Sequence, residues 1–222
     1  MSTLPPPQSS IFVRQLGRVD YAPTLAAMRD FTAARNAGTP DQLWVLEHPS
    51  VYTIGQAGRA AHLLRASSIP VVRTDRGGQI TYHGPGQAIV YLLVELPRRG
   101  LTVRELVRRI EDSVIDLLAT HGVTAGRRAG APGVYVDDAK IAALGLRVRH
   151  GRSYHGVALN VEMDLAPYTD IDPCGYPGLR VTQLVDLGVP LAPAQAGLAL
   201  AEVIASRLGS PAEVRPELDC AT

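Results

Sequence analysis

Three stretches of the chain repeat apolar residues at helical spacing. Residues 21–36 set Tyr21, Leu25, Met28 and Phe31 along one face, with Pro23 in the first turn, where its missing N–H costs nothing. Residues 102–121 carry the strongest pattern. Val103, Leu106, Ile110, Val114, Leu117 and Leu118 make the stripe, Thr102 and Glu105 have capping-box spacing, and Gly122 follows as a stop. Residues 193–208 repeat the theme with Leu198, Val203, Ile204 and Leu208. Between these stretches lie short apolar runs bounded by Gly and Pro, which predict strands at 43–47, 51–54, 71–73, 79–82 and 87–96. Three more follow closely at 133–136, 141–148 and 154–161, with Asp137-Asp138-Ala139 and His150-Gly151-Arg152-Ser153 as hairpin turns. Strands outnumber helices and cluster, so the pattern predicts a single α+β domain: a largely antiparallel sheet covered by helices. The Pro/Ser-rich residues 1–10 read as a disordered tail and 210–222 as a loose one, leaving 11–209 as the folded domain.

Composition sharpens this picture in a few places. A length of 222 residues with 46% hydrophobic and 19% charged residues suits one ordinary globular domain. The net charge of +1 provides no global field for nucleic acid or a membrane surface. Charge is unevenly spread, however. Residues 96–152 hold 11 basic and 6 acidic side chains, whereas 153–222 hold 3 and 9. Such a basic middle could meet an acidic partner, although a solvated surface is the commoner meaning. Two cysteines make no disulfide framework, residues 1–10 lack the features of a signal peptide, and the apolar run 88–94 is too short to span a bilayer. The expectation is a soluble protein in the reducing cytoplasm. Of the 22 basic residues, 21 are Arg and the single lysine is Lys140. Coding bias accounts for the arginines, but a lysine can shed its proton when desolvated and an arginine cannot.

Four segments could carry chemistry. RGGQITYHGPGQ (76–87) packs four glycines into twelve residues, which permits close backbone approach without matching a P-loop or a dinucleotide fingerprint. Asp172-Pro173-Cys174-Gly175 sets a cysteine in a turn, outside any apolar run. KIAALG (140–145) begins with the sole lysine, and YHGVALNV (154–161) alternates small and large residues, either to open one face to an apolar ligand or to admit a close-packed helix. Two other constellations compete: Cys174 with His83 or His155 as a nucleophile–base pair, or all three as zinc ligands, although they lack tight ligand spacing.

Taken together and in order, RGGQITYHGPGQ, KIAALGLRV, HGVALNV and DPCG resemble the lipoyl(octanoyl) transferases of the biotin/lipoate protein ligase superfamily, over about residues 44–184. The resemblance implies a central mixed sheet flanked by helices. It implies Cys174 as the acyl-thioester nucleophile and Lys140 as its partner. It also implies an acyl-binding groove lined by Arg76, Gly77, Gly78, Gln79, Ile80, Thr81, Tyr82 and His83, by Ala143, Leu144 and Gly145, and by Gly156, Val157 and Ala158. The donor would be octanoyl-acyl carrier protein, and the acceptors lysines on lipoyl domains of 2-oxoacid dehydrogenase complexes and on the glycine cleavage H protein. The enzyme would work as a monomer with no metal and no cofactor. Asp138, where a glycine is the family's pattern, is a departure confined to the turn before the lysine. Backbone N–H groups of Gly77, Gly78 or Gly145 would serve as an oxyanion site, and Arg127, Arg128, Arg147, Arg149 and Arg152 would steer the acidic carrier. The rival readings are an ATP-dependent lipoate or biotin ligase, an amidotransferase moving octanoyl groups between lipoyl domains, and a non-catalytic acyl- or lipoyl-binding module.

Overall fold

A computed structural model describes residues 10–172 and 179–215. Its elements run β1 (Ile11–Arg18), α1 (Tyr21–Ala34), β2 (Gln42–Glu47), β3 (Val51–Ile54), β4 (Val71–Arg73), β5 (Ile80–His83) and β6 (Gln87–Leu93) in the first half. Then come α2 (Val103–Thr120), β7 (Gly126–Arg128), β8 (Ala131–Val136), β9 (Ala139–Arg149), β10 (Arg152–Asn160), α3 (Pro193–Arg207) and β11 (Ala212–Arg215). Eight strands form one sheet in the order β11-β1-β2-β6-β10-β9-β8-β7, and β4-β3-β5 form a second, smaller sheet. Within the large sheet only β1 pairs in parallel, with β11 and β2; the remaining pairs are antiparallel. The α+β expectation holds, and the sheet is mixed.

β6 explains how the layers stack. Every residue of β6 is buried, because the strand has covered faces on both sides. Val90 and Leu92 point into a core built with Leu106, Ile110 and Val114 of α2 and Leu200 and Ile204 of α3. Ile89, Tyr91 and Leu93, one step out of phase, join Tyr21, Leu25 and Met28 of α1 on the opposite face. At α2 the capping box forms as its spacing predicts: Glu105 N donates to Thr102 Oγ1 at 3.2 Å, and Thr102 N donates to Glu105 Oε2 at 2.8 Å. Both expected hairpin turns occur. Asp137 (φ 49°) joins β8 to β9, and His150 (φ 51°) with Gly151 (φ 76°) joins β9 to β10.

The loose tail does not begin at residue 210. Ser210 is buried and accepts Arg99 Nη1 at 2.9 Å, and residues 212–215 pair with residues 11–14 as an edge strand. A buried ion cluster fixes this end of the molecule. Asp41 bonds Arg35 and takes Arg99 Nε at 2.5 Å, and it also accepts the Glu95 amide at 2.9 Å.

Candidate active site

Four small residues create the space for a site. The β9–β10 register pairs Gly145 with Gly156 and Ala143 with Ala158, so a two-by-two patch has nothing larger than a methyl group. Beside this patch opens a cavity of about 300 Å³, at the small end of ordinary ligand sites. Leu144 and Val157 contribute apolar wall, as do Ile80 and Ile89. Of the residues expected in the groove, all three from β9 and all three from β10 line it.

The glycine-rich loop forms the opposite wall, and β9 explains its position. Gly77 N donates to Leu146 O at 2.9 Å, laying the loop across β9. A methyl group on Gly145 would come within 3.0 Å of Gly77 O and 3.2 Å of Arg76 Cδ, so the bare backbone at 145 permits the contact. Arg76 lines the cavity with its buried side chain. Its guanidinium is engaged with β3, donating from Nη2 to Thr53 O at 2.6 Å and from Nε to Thr53 Oγ1 at 3.2 Å. Gly78, Gln79, Thr81 and His83 also reach the cavity. Because the Gly77 N–H is used by Leu146, it is not an oxyanion donor, and Gly145 sits in the β9–β10 ladder opposite Gly156; of the three proposed donors, Gly78 is left as the candidate.

Tyr82 is the exception among the expected lining residues. Strand alternation turns it away from the cavity, into the small-sheet core between Tyr52 and Tyr168, at ring distances of 5.6 and 5.5 Å.

Hydrogen bonds set the tautomers of two buried histidines. Gln87 Nε2 donates to Asn160 Oδ1 at 2.9 Å and Tyr168 Oη at 3.0 Å, so its Oε1 accepts His83 Nδ1–H at 2.8 Å and leaves a lone pair on Nε2. His48 Nδ1 donates to Val19 O at 2.6 Å, so its Nε2 accepts the Tyr91 hydroxyl at 2.8 Å. Burial pushes His83 down to about 3, helped by neighbouring His48, and pushes His48 down to about 4. Both are neutral at physiological pH.

His155, with a left-handed φ of 62°, donates from Nε2 to Asp75 Oδ1 at 2.9 Å, while Tyr154 Oη bonds the other oxygen at 2.6 Å. Burial opposes the Asp75 charge, yet the bonds from His155 and Tyr154 hold its carboxyl well below the usual range. Asp75 thereby ties the start of the glycine-rich loop to β10. Sequence reasoning passed over Asp75, His48, Tyr91 and Tyr168. Their signal was faint: single polar residues inside or beside apolar strands.

Lys140 stands on the cavity wall and is 8% exposed. Its Nζ donates to Pro132 O at 3.2 Å and lies 5.3 Å from the centre of the Tyr135 ring. Its backbone is bracketed by a later segment: Lys140 N donates to Arg180 O at 2.8 Å and Thr182 N to Lys140 O at 3.0 Å. Cys174 lies outside the described residues. Leu179, the next described residue, lines the cavity.

The basic segment is less available than its charge count implies. Arg127 pairs with Glu111 and Asp112, Arg128 with Asp138, and Arg152 reaches Thr32 O at 3.5 Å. Arg147 and Arg149 occupy the outer end of β9. Among the described residues no group of three or more His, Cys, Asp or Glu could hold a metal ion, and no helix is long and apolar enough to cross a membrane.

Residues 20–205 match the family model described as the lipoyl protein ligase A/B catalytic domain. The octanoyltransferase of Dechloromonas aromatica is 61% identical over 196 residues, spanning 88% of this chain and 96% of that protein. The octanoyltransferase of Thiobacillus denitrificans is 63% identical over 198 residues, or 89% and 91% of the two chains. Among solved structures, a lipoate-protein ligase A bound with ATP superposes with a TM-score of 0.79 at 16% identity, covering 95% of this chain and 90% of that one. The biotin protein ligase of Aquifex aeolicus with biotin and ATP gives 0.54 at 14% identity, covering 89% and 70%.

Proposed function

Because the chain belongs to the lipoyl protein ligase A/B catalytic-domain family, we propose that it is an octanoyltransferase that moves an octanoyl group from a carrier thioester to a lysine of a lipoyl domain. The observation that carries this reading is the sole lysine on the wall of an apolar cavity floored by Ala143, Gly145, Gly156 and Ala158. Burying about seven CH₂ and CH₃ groups of an octanoyl tail there is worth roughly 5 kcal/mol. Names of relatives near 60% identity support the octanoyl group as cargo.

Chemistry would proceed by two acyl transfers. Lys140, as the free amine, takes the Cys174 thiol proton. The thiolate attacks the donor thioester carbonyl, the carrier sulfur leaves, and the Lys140 ammonium returns the proton to it. An octanoyl-Cys174 thioester and free carrier thiol result. In the second transfer the acceptor amine attacks that carbonyl, Lys140 takes the proton the amine loses, and the departing Cys174 sulfur receives it. The acceptor gains an amide. An unassisted thiol of pKa about 8.5 is only about 3% thiolate at neutral pH, so a neighbouring base that becomes a cation is the natural aid. A thioester is already activated, so neither transfer needs ATP. Connectivity supports the pairing. Cys174 is six residues before Arg180, whose carbonyl holds the Lys140 amide.

The catalytic unit is read as residues 11–215, and the setting as the cytoplasm, where a thiol nucleophile stays reduced. The donor is read as an acidic acyl carrier protein approaching Arg147 and Arg149. The test is transfer of octanoate from a carrier thioester to a purified lipoyl domain. Transfer without ATP is expected; strict ATP dependence would favour a ligase. Use of octanoylated lipoyl domain as donor, with the carrier thioester ignored, would favour an amidotransferase.

A further inference from the structure

Glu111 lies on α2, is not among the residues that line the cavity, and has no part in the reaction outlined above. Its side chain is buried, and both oxygens are committed. Oε1 accepts Gly133 N–H at 3.0 Å, and Oε2 accepts Arg127 Nε at 2.9 Å. The Gly133 amide and the Pro132 carbonyl are two ends of one peptide group, and the Pro132 carbonyl accepts Lys140 Nζ at 3.2 Å. A carboxylate, a planar peptide and the Lys140 amino group therefore stand in line. The peptide is rigid, so fixing its N–H end fixes the direction of its C=O end. Hydrogen bonds in such a chain also polarise one another, making the carbonyl a better acceptor for a cation.

Gly133 is shaped for this role. Its φ of 132° suits glycine, and a methyl group there would sit 2.6 Å from Ala142 O and 3.2 Å from Lys140 Cε. The lysine stem thus passes over a bare backbone, and the one peptide below it is pinned from beneath by Glu111.

We propose that Glu111 is a positioning residue that acts through the Pro132–Gly133 peptide to hold Lys140 Nζ at the cavity wall and to stabilise the ammonium that forms as Lys140 takes the Cys174 thiol proton. The inference rests on the reading of Lys140 as the proton carrier, but its primary test does not need turnover. Lys140 is the only lysine, so once thioesters are stripped with hydroxylamine, a small acylating probe leaves stable amides at Lys140 and at the N-terminal amine, which serves as an internal reference. Peptide mass spectrometry then gives the Lys140 labelling rate at one pH for the full-length protein, Glu111→Leu and Glu111→Gln. Losing the relay should speed labelling about fivefold in Glu111→Leu, the scale of one ordinary hydrogen bond, because Glu111 acts on Lys140 through the peptide. Glu111→Gln removes the charge but keeps an acceptor for Gly133, and should fall between the two. Unchanged Lys140 labelling in both variants, or in Glu111→Gln alone where Glu111→Leu does not fold, overturns the proposal.

Turnover supplies the second readout. Glu111→Leu should lower kcat about tenfold with little change in KM for a small octanoyl thioester, and Glu111→Gln should recover most of the loss. A rise in KM with kcat kept would mean that Glu111 only supports the cavity and would overturn the positioning role. A Lys140→Met enzyme with normal turnover would instead overturn the proton-carrier reading, and the labelling result would stand apart from it.

Discussion

The most informative single change to the cavity is Ala143→Leu. Ala143 lies on the floor opposite Ala158 and is half-buried, its free surface facing the space assigned to the acyl tail. Leucine adds three carbons there and takes the room of about three methylenes of the substrate. At about 0.8 kcal/mol for each methylene, an octanoyl group loses about 2.4 kcal/mol of burial, while a pentanoyl group has no carbons in the blocked part. That difference is about 50-fold in kcat/KM. The assay compares octanoyl and pentanoyl pantetheine thioesters on wild-type and Ala143→Leu protein, with a thermal melt to confirm folding. A selective loss for octanoyl is expected. A parallel loss on both thioesters, or an unchanged octanoyl preference, would refute the placement of the tail over the small-residue floor.

Other consequences follow from the same structure. Asp41→Ala would leave Arg35 and Arg99 buried without their carboxylate and should cost about 3–5 kcal/mol, read as a fall in urea midpoint; a change under 1 kcal/mol would mean that water compensates the arginines. Gly145→Val should push the glycine-rich loop off β9 and depress kcat/KM more than stability, because the nearest obstacle is Gly77 O at 3.0 Å. Acidification should destabilise the fold. His48 titrates near 4 when folded and about 6.5 when unfolded, so the unfolded chain binds the extra proton between those values, and stability falls by up to about 1.4 kcal/mol per pH unit. The melting temperature should fall less steeply from pH 7 to 5 in His48→Gln, with buried His83 supplying part of the slope that is left, and an unaltered slope would exclude His48 as a source. If Arg147 and Arg149 steer an acidic carrier, reversing both charges should raise KM for carrier-bound octanoate and leave a small thioester unaffected; equal effects on both would exclude steering.

Much of the fold is legible from the chain because its strongest elements are fixed locally. The 3.6-residue stripe and capping box of α2 and the turn residues at 137–138 and 150–151 need no distant partner to be read. β11 is different. Four residues at a sheet edge become a strand only because residues 11–14, some 200 positions earlier, offer a pairing edge, so a local reading sees a loose tail. Tyr82 departs from its motif for a related reason. Its motif neighbours line the cavity, but the two-residue period of β5 turns every second side chain into the other core. Charge was legible as a count and not as a surface: Arg127 and Arg128 look available until Glu111, Asp112 and Asp138 fold onto them. Lys140 stood out because it is the sole lysine, whereas Glu111 looks like any polar residue on an amphipathic helix. Its meaning depends on a peptide plane that only β8 and β9 together create.

One measurement meets the proposed acyl transfer through Cys174, with Lys140 as its proton partner, directly. The protein is incubated with octanoyl-carrier thioester, quenched and digested, and the peptides are weighed before and after a chase with lipoyl domain. The prediction is an octanoyl group on the Cys174 peptide that disappears in the chase as the lipoyl domain gains the same mass. An octanoyl group on any other residue, or one on Cys174 that the lipoyl domain does not remove, would contradict it.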